Sequence, residues 1–116
     1  MVVLLVEDEA LIRCAVAEYL REAGCAVIET ASGEEAIAIC KSNMSIDLLF
    51  TDVNLIGQAS GWEVAEYVRV DRPNVSVLYT SGKSIDRERC LPGSTFLPKP
   101  YQHDDVVVAC HRLRDK

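Results

Sequence analysis

Short apolar runs alternate with longer stretches of helical period, and nearly every run stops at a polar residue; this rhythm restricts the chain to a narrow group of folds. Val2–Val6 is continuously apolar, the pattern of a strand buried on both faces. From Ala10 to about Ala23, Ile12, Val16 and Leu20 recur every four residues, which predicts a helix ended by Gly24. Residues 25–30 read as a second strand. Ser32-Gly33-Glu34-Glu35 has capping-box spacing and opens a helix through about Lys41. Residues 46–51 form a third strand ending at Asp52, 53–60 a loop, and Gly61 to about Val70 a helix closed by Pro73. A fourth strand, 75–79, ends at Thr80-Ser81-Gly82; residues 84–91 are weakly helical; a short fifth strand, 95–97, ends at Pro98-Lys99-Pro100. Val106, Cys110 and Leu113 mark one face of a last helix.

Strands that alternate with helices build right-handed βαβ units. The expected class is therefore α/β, a doubly wound five-stranded parallel sheet with helices on both faces. The 116 residues carry no internal repeat, low-complexity tract or linker, so one domain is expected over 1–116. A hydrophobic share of 49% is enough for a real core without disulfide or metal staples.

Charge and cysteines narrow the function. A net charge of −6 argues against binding nucleic acid or anionic lipid through broad electrostatic attraction, though not against protein partners. Cys14, Cys25, Cys40, Cys90 and Cys110 are odd in number, lack zinc-site spacing and sit among apolar neighbours. They read as reduced, small core residues of a cytoplasmic protein. The run from Met1 to Val6 is too short for a secretory signal, and no stretch reaches the roughly 18 apolar residues of a membrane span. Met1 fits a natural start, and both a stand-alone regulator and a piece of a longer protein are compatible with the chain.

The polar residues point to chemistry. In an open parallel sheet, ligands bind outside the carboxyl ends of the strands. Strand one ends in Glu7-Asp8, strand three in Asp52, strand four in Thr80 and strand five in Lys99, so four of the five runs send a charged or hydroxyl group to one edge. Carboxylates held together either take up a proton or bind a cation. Oxygen ligands without thiolate or imidazole favour Mg²⁺, and a carboxylate beside it can attack phosphorus. Phosphoryl transfer then needs positioning and charge neutralisation, for which Lys99 and the Thr80 hydroxyl are suited.

On these residues the chain resembles a CheY-like receiver domain of bacterial two-component signalling over nearly its whole length. The motifs are Leu4-Leu5-Val6-Glu7-Asp8-Glu9, Asp47-Leu48-Leu49-Phe50-Thr51-Asp52, Val77-Leu78-Tyr79-Thr80-Ser81-Gly82 and Phe96-Leu97-Pro98-Lys99-Pro100. The resemblance implies a flavodoxin-like (βα)5 fold with strand order 2-1-3-4-5. It implies Asp52 as phosphoacceptor, and Glu7, Asp8, Asp52 and the main-chain carbonyl of Asn54 as ligands of Mg²⁺. Thr80 is then the switch hydroxyl, Phe96 the switch aromatic and Lys99 the phosphate-sensing lysine, with Lys99-Pro100 cis. The implied partners are a sensor histidine kinase or phosphotransfer protein and a downstream protein target. Catalysis is limited to the domain's own phosphoryl transfer and dephosphorylation.

Two departures stand out: the family's Met-Pro pair after the acceptor is replaced by Leu55-Ile56, and the loop before Gly61 is one residue longer. A haloacid-dehalogenase-type phosphohydrolase also uses a strand-end Asp, but needs a second Asp where this chain has Asn54. A phosphate-independent docking module is the other alternative, supported only by the altered loop. Gly82-Lys83-Ser84 matches only the end of a P-loop, because Val77 stands where its first glycine belongs. His103 and His111 read as surface residues and Trp62 as packing.

Overall fold

Alternate residues of the central strands leave on opposite faces, and the chain uses this to fill two apolar layers. The computed structural model describes residues 1–115. Its elements are β1 (Val2–Val6), α1 (Ala10–Glu22), β2 (Ala26–Thr30), α2 (Gly33–Lys41), β3 (Leu48–Asp52), α3 (Gly61–Asp71), β4 (Ser76–Ser81), a 3₁₀ turn (Arg87–Arg89), β5 (Thr95–Pro98) and α4 (His103–Arg114). Leu4, Val6, Leu49, Val77 and Tyr79 pack on one face against Ala36 and Cys40 of α2 and Val64, Ala65 and Val68 of α3. Val3, Leu5, Leu48, Phe50 and Leu78 pack on the other against Val16, Ala17 and Leu20 of α1 and Val106, Cys110 and Leu113 of α4. Burying each large side chain contributes roughly 1.5–3 kcal/mol, and this core holds an edge where acids are crowded.

All four strand pairings are parallel, in the order β2-β1-β3-β4-β5. The chain leaves β1 for β2 on one side and returns to β3 on the other, so a crevice opens at the carboxyl ends of β1 and β3. This is the expected doubly wound α/β architecture.

The elements depart from expectation in a few places. Residues 84–91 form no α-helix; only Arg87–Arg89 make a 3₁₀ turn, started by Asp86 Oδ1 accepting from the Glu88 amide at 3.0 Å. Gly82, Pro92 and Gly93 crowd that segment and leave no room for a longer helix. Cys14 is exposed rather than core, whereas Cys40 and Cys110 are buried. His103 is half-buried, its ring against Tyr19 with centroids 3.8 Å apart. Trp62 packs in the core against Tyr79, as expected. Among the described residues, no helix is long and apolar enough to cross a membrane.

Candidate functional site

Each strand delivers its polar residue by running out of apolar sequence at the same edge. Glu7 follows β1 directly, and its amide donates to the Thr30 carbonyl at 3.1 Å, extending the β1–β2 ladder by one bond. Asp52 ends β3, where every residue is buried, and pairs in register with Thr80 of β4. Lys99 follows β5, its amide donating to the Ser81 carbonyl at 2.9 Å, and its peptide bond to Pro100 is cis.

These side chains meet. Lys99 Nζ donates to Glu7 Oε1 and to Asp52 Oδ2, both at 2.7 Å. The second oxygen of each acid is also engaged: Glu7 Oε2 accepts from the Glu9 amide at 3.1 Å and Asp52 Oδ1 from the Asn54 amide at 2.9 Å. Asp8 Oδ2 accepts from the Ile56 amide at 3.0 Å. One oxygen from each of Glu7, Asp8 and Asp52 lies within 4.8 Å of the others. Glu7 and Asp52 are 2% and 6% exposed, so their interactions are only weakly screened by water.

Burial raises the pKa of the Glu7 carboxyl, against the opposing pull of its bond to Lys99. Burial alone would lower that of Lys99, but its hydrogen bonds to Asp52 and Glu7 outweigh this and raise it, so the ammonium stays charged. Beside them, burial pushes the Tyr101 hydroxyl up to about 12, with the Glu7 charge adding to the effect. The Thr80 hydroxyl is buried and, among the described residues, has no hydrogen-bond partner. An orphaned buried hydroxyl is costly unless something else occupies its lone pairs or proton. Phe96 sits on β5 opposite Tyr79, half-buried, with the Arg87 guanidinium 5.4 Å from its ring centre.

Two groups here escaped the sequence reading. Ser81 Oγ, buried, accepts from Asn54 Nδ2 at 2.9 Å and from the Lys83 amide at 3.1 Å, tying the loop after β3 to the one after β4. Arg13 Nη1 donates to the Glu7 carbonyl at 2.9 Å and braces the turn into α1. The only sequence signal for Ser81 was its place beside Thr80; Arg13 had none. Nothing favours the hydrolase alternative, since the Asn54 side chain is an amide bonded to Ser81 rather than an acid.

Hard oxygen donors from three clustered carboxylates are the donor set of Mg²⁺, so the residues present fit that ion. Residues 3–111 match the family model of the response regulator receiver domain. The chain is 30% identical to the sensor kinase CckA of Brucella abortus, covering 98% of this chain but 12% of that protein. It superposes on a response regulator receiver protein from Sinorhizobium medicae with a TM-score of 0.95, at 31% identity and covering 99% and 94% of the two chains. A second similar structure is the response regulator TrrA of Thermotoga maritima in complex with Mg²⁺–BeF, with a TM-score of 0.82, 25% identity and 97% of each chain covered. The chain spans 12% to 53% of the length of the first curated relatives it matches. Fold, site edge and sequence agree: this chain belongs to the response regulator receiver domain family, the phosphoacceptor domains of two-component signalling.

Proposed function

We propose that residues 1–116 act as one receiver domain in which Asp52 accepts a phosphoryl group from the phosphohistidine of a sensor kinase or phosphotransfer protein. The observation that carries this reading is Lys99 held at 2.7 Å by both Glu7 and Asp52, with Thr80, whose hydroxyl has no hydrogen-bond partner among the described residues, paired in register with Asp52. Asp52 Oδ2 is the attacking oxygen once Lys99 releases it; Oδ1 stays anchored by the Asn54 amide and keeps the carboxylate oriented. In the transfer, the Oδ2–P bond forms as the histidine N–P bond breaks, and the histidine nitrogen leaves with the electron pair. Lys99 then neutralises one phosphoryl oxygen and the Thr80 hydroxyl donates to another.

Glu7, Asp8, Asp52 and the main-chain carbonyl of Asn54 are the proposed ligands of Mg²⁺. When bound, the ion supplies the remaining neutralisation of phosphoryl charge. Movement of Thr80 toward the acceptor and rotation of Phe96 would then remodel the surface around β5, the 3₁₀ turn and α4 for a downstream protein.

Addition of Mg²⁺ and beryllium fluoride tests the reading. The expected result is amide shifts around Asp52, Thr80 and Phe96 that Asp52→Asn abolishes. An unresponsive native protein would overturn the reading in favour of a phosphate-independent docking module.

A further inference from the structure

We propose that Glu34, in the first turn of α2, is a positioning residue for the proline-free loop that faces the acceptor. This rests on the reading of Asp52 and its metal site given above. The loop over 53–60 has no proline to restrict it, and Gly57 adopts a φ of 112°, so its backbone has much freedom to lose on ordering. Its amino-terminal end is fixed by Asp52 and Ser81, through the Asn54 amide and side chain, and its middle by Asp8, through the Ile56 amide. Its far end is fixed from another element: Glu34 Oε1 accepts from the Gln58 amide at 2.9 Å and from the Ala59 amide at 2.7 Å.

Two glycines make this reach possible. A Cβ on Gly57 would lie 2.8 Å from Glu34 Oε2, and one on Gly33 would lie 2.7 Å from the Ala59 carbonyl oxygen. Gly33 thus lets the first turn of α2 meet the loop backbone directly, and Gly57 leaves room for the Glu34 carboxylate. Bonds to the Ala59 amide first, and then to other donors, hold the Glu34 carboxyl below the usual range. An acid that merely favoured the helix dipole would be served by its own helix; this one serves amides 24 and 25 residues away. Glu34 lies outside the acidic cluster of Glu7, Asp8 and Asp52 and acts through the loop, by holding the main chain of Asn54 and Ile56 in register with Asp52 and Asp8.

The test compares Glu34→Ala and Glu34→Gln with the native chain in Mg²⁺ titrations followed by the Asn54 and Ile56 amide resonances. Glu34→Ala is expected to weaken Mg²⁺ binding about tenfold, as loss of a group that orients metal ligands does. It should also speed hydrogen exchange at Gln58 and Ala59 in Mg²⁺-free buffer. Glu34→Gln keeps an acceptor oxygen and should recover most of the affinity; if the alanine variant fails to fold, Glu34→Asp, which keeps the charge but shortens the reach to the Gln58 and Ala59 amides, takes its place and is expected to weaken Mg²⁺ binding. Unchanged Mg²⁺ affinity in both variants, or a fall in melting temperature that is the same with and without Mg²⁺, would overturn the proposal. The beryllium fluoride response of the native protein and its loss in Asp52→Asn judge the acceptor separately. A native chain that binds Mg²⁺ without that response would sink the acceptor and still leave Glu34 to be judged by the titration.

Discussion

The two segments that flank Asp52, the proposed acceptor, are held in different ways. The loop over 53–60 is tied point to point, with its amides donating to carboxylate oxygens of Asp52, Asp8 and Glu34. The segment over 82–94 leans on rings: Arg87 lies 5.4 Å from the centre of Phe96 and Arg89 5.3 Å from that of Trp62. The Tyr79 hydroxyl accepts from the Leu91 amide at 3.3 Å, and Arg69 Nη1 donates to the Pro92 carbonyl at 3.1 Å. Bonds to charged oxygens are short and directional, whereas a guanidinium over a ring tolerates sliding. The first segment therefore fixes geometry, and the second can rearrange at small cost. The proposed switch aromatic, Phe96 on β5, is covered by the second through Arg87.

The comparison can be broken most severely at Gly61. A Cβ there would collide with the Asp52 carbonyl and lie 2.7 Å from Val53 Cα. Gly61→Ala is expected to cost about 3 kcal/mol in urea unfolding and to abolish the beryllium fluoride response, because the loop can no longer start where β3 ends. A cost below about 1 kcal/mol would mean that the close approach is easily relaxed.

Arg87→Ala sharpens the contrast. It removes one exposed ring contact, worth about 0.5 kcal/mol. The Phe96 ring resonances should shift and broaden, while Mg²⁺ affinity, governed by the other segment, stays as in the native chain. A large loss of Mg²⁺ binding would show that the two segments are one unit.

The smallest expected effect is one of pH. The carboxyl of Glu34 is lowered from its ordinary value of 4.5, so its hold on the loop is complete above that value and is lost as pH falls through the lowered one. The Gln58 and Ala59 amide shifts should titrate in that acid range. The arginine–ring contacts contain no acid and should persist through it. Absence of the amide titration in the native chain, or its survival in Glu34→Gln, would contradict this assignment.

Glu7, Asp52, Thr80 and Lys99 were legible because a polar residue at the end of an apolar run is a local signal, and the parallel fold gathers such ends at one edge. The partners Glu34 and Ser81 were not, since their bonds cross 24 to 27 residues of sequence. Ser32-Gly33-Glu34-Glu35 has the spacing of a helix start, and Ser32 does accept from the Glu35 amide at 3.2 Å; what Glu34 reaches depends on where α2 lies beside α3. Cys14 faces solvent, against expectation, for a geometric reason. Two residues along a helix is about 200° of rotation, so its apolar neighbours Ile12 and Val16 face the core while Cys14 faces solvent. The weak helical pattern at 84–91 yielded to the glycines and proline around it.

The contact between Gly61 and the end of β3 has a mechanical meaning. The Gly61 amide donates to the Val53 carbonyl at 3.0 Å, and the two backbones approach with no room for a side chain. Side chains act as compliant spacers that absorb small displacements by changing rotamer; here there is none. A shift of the main chain at Asp52 would therefore meet the first turn of α3 with no side chain to absorb it. That helix is a stiff rod about 16 Å long, whose far end carries the solvent-facing Val70, 84% exposed. Chemistry at the proposed acceptor would thus have a lever arm already attached to it.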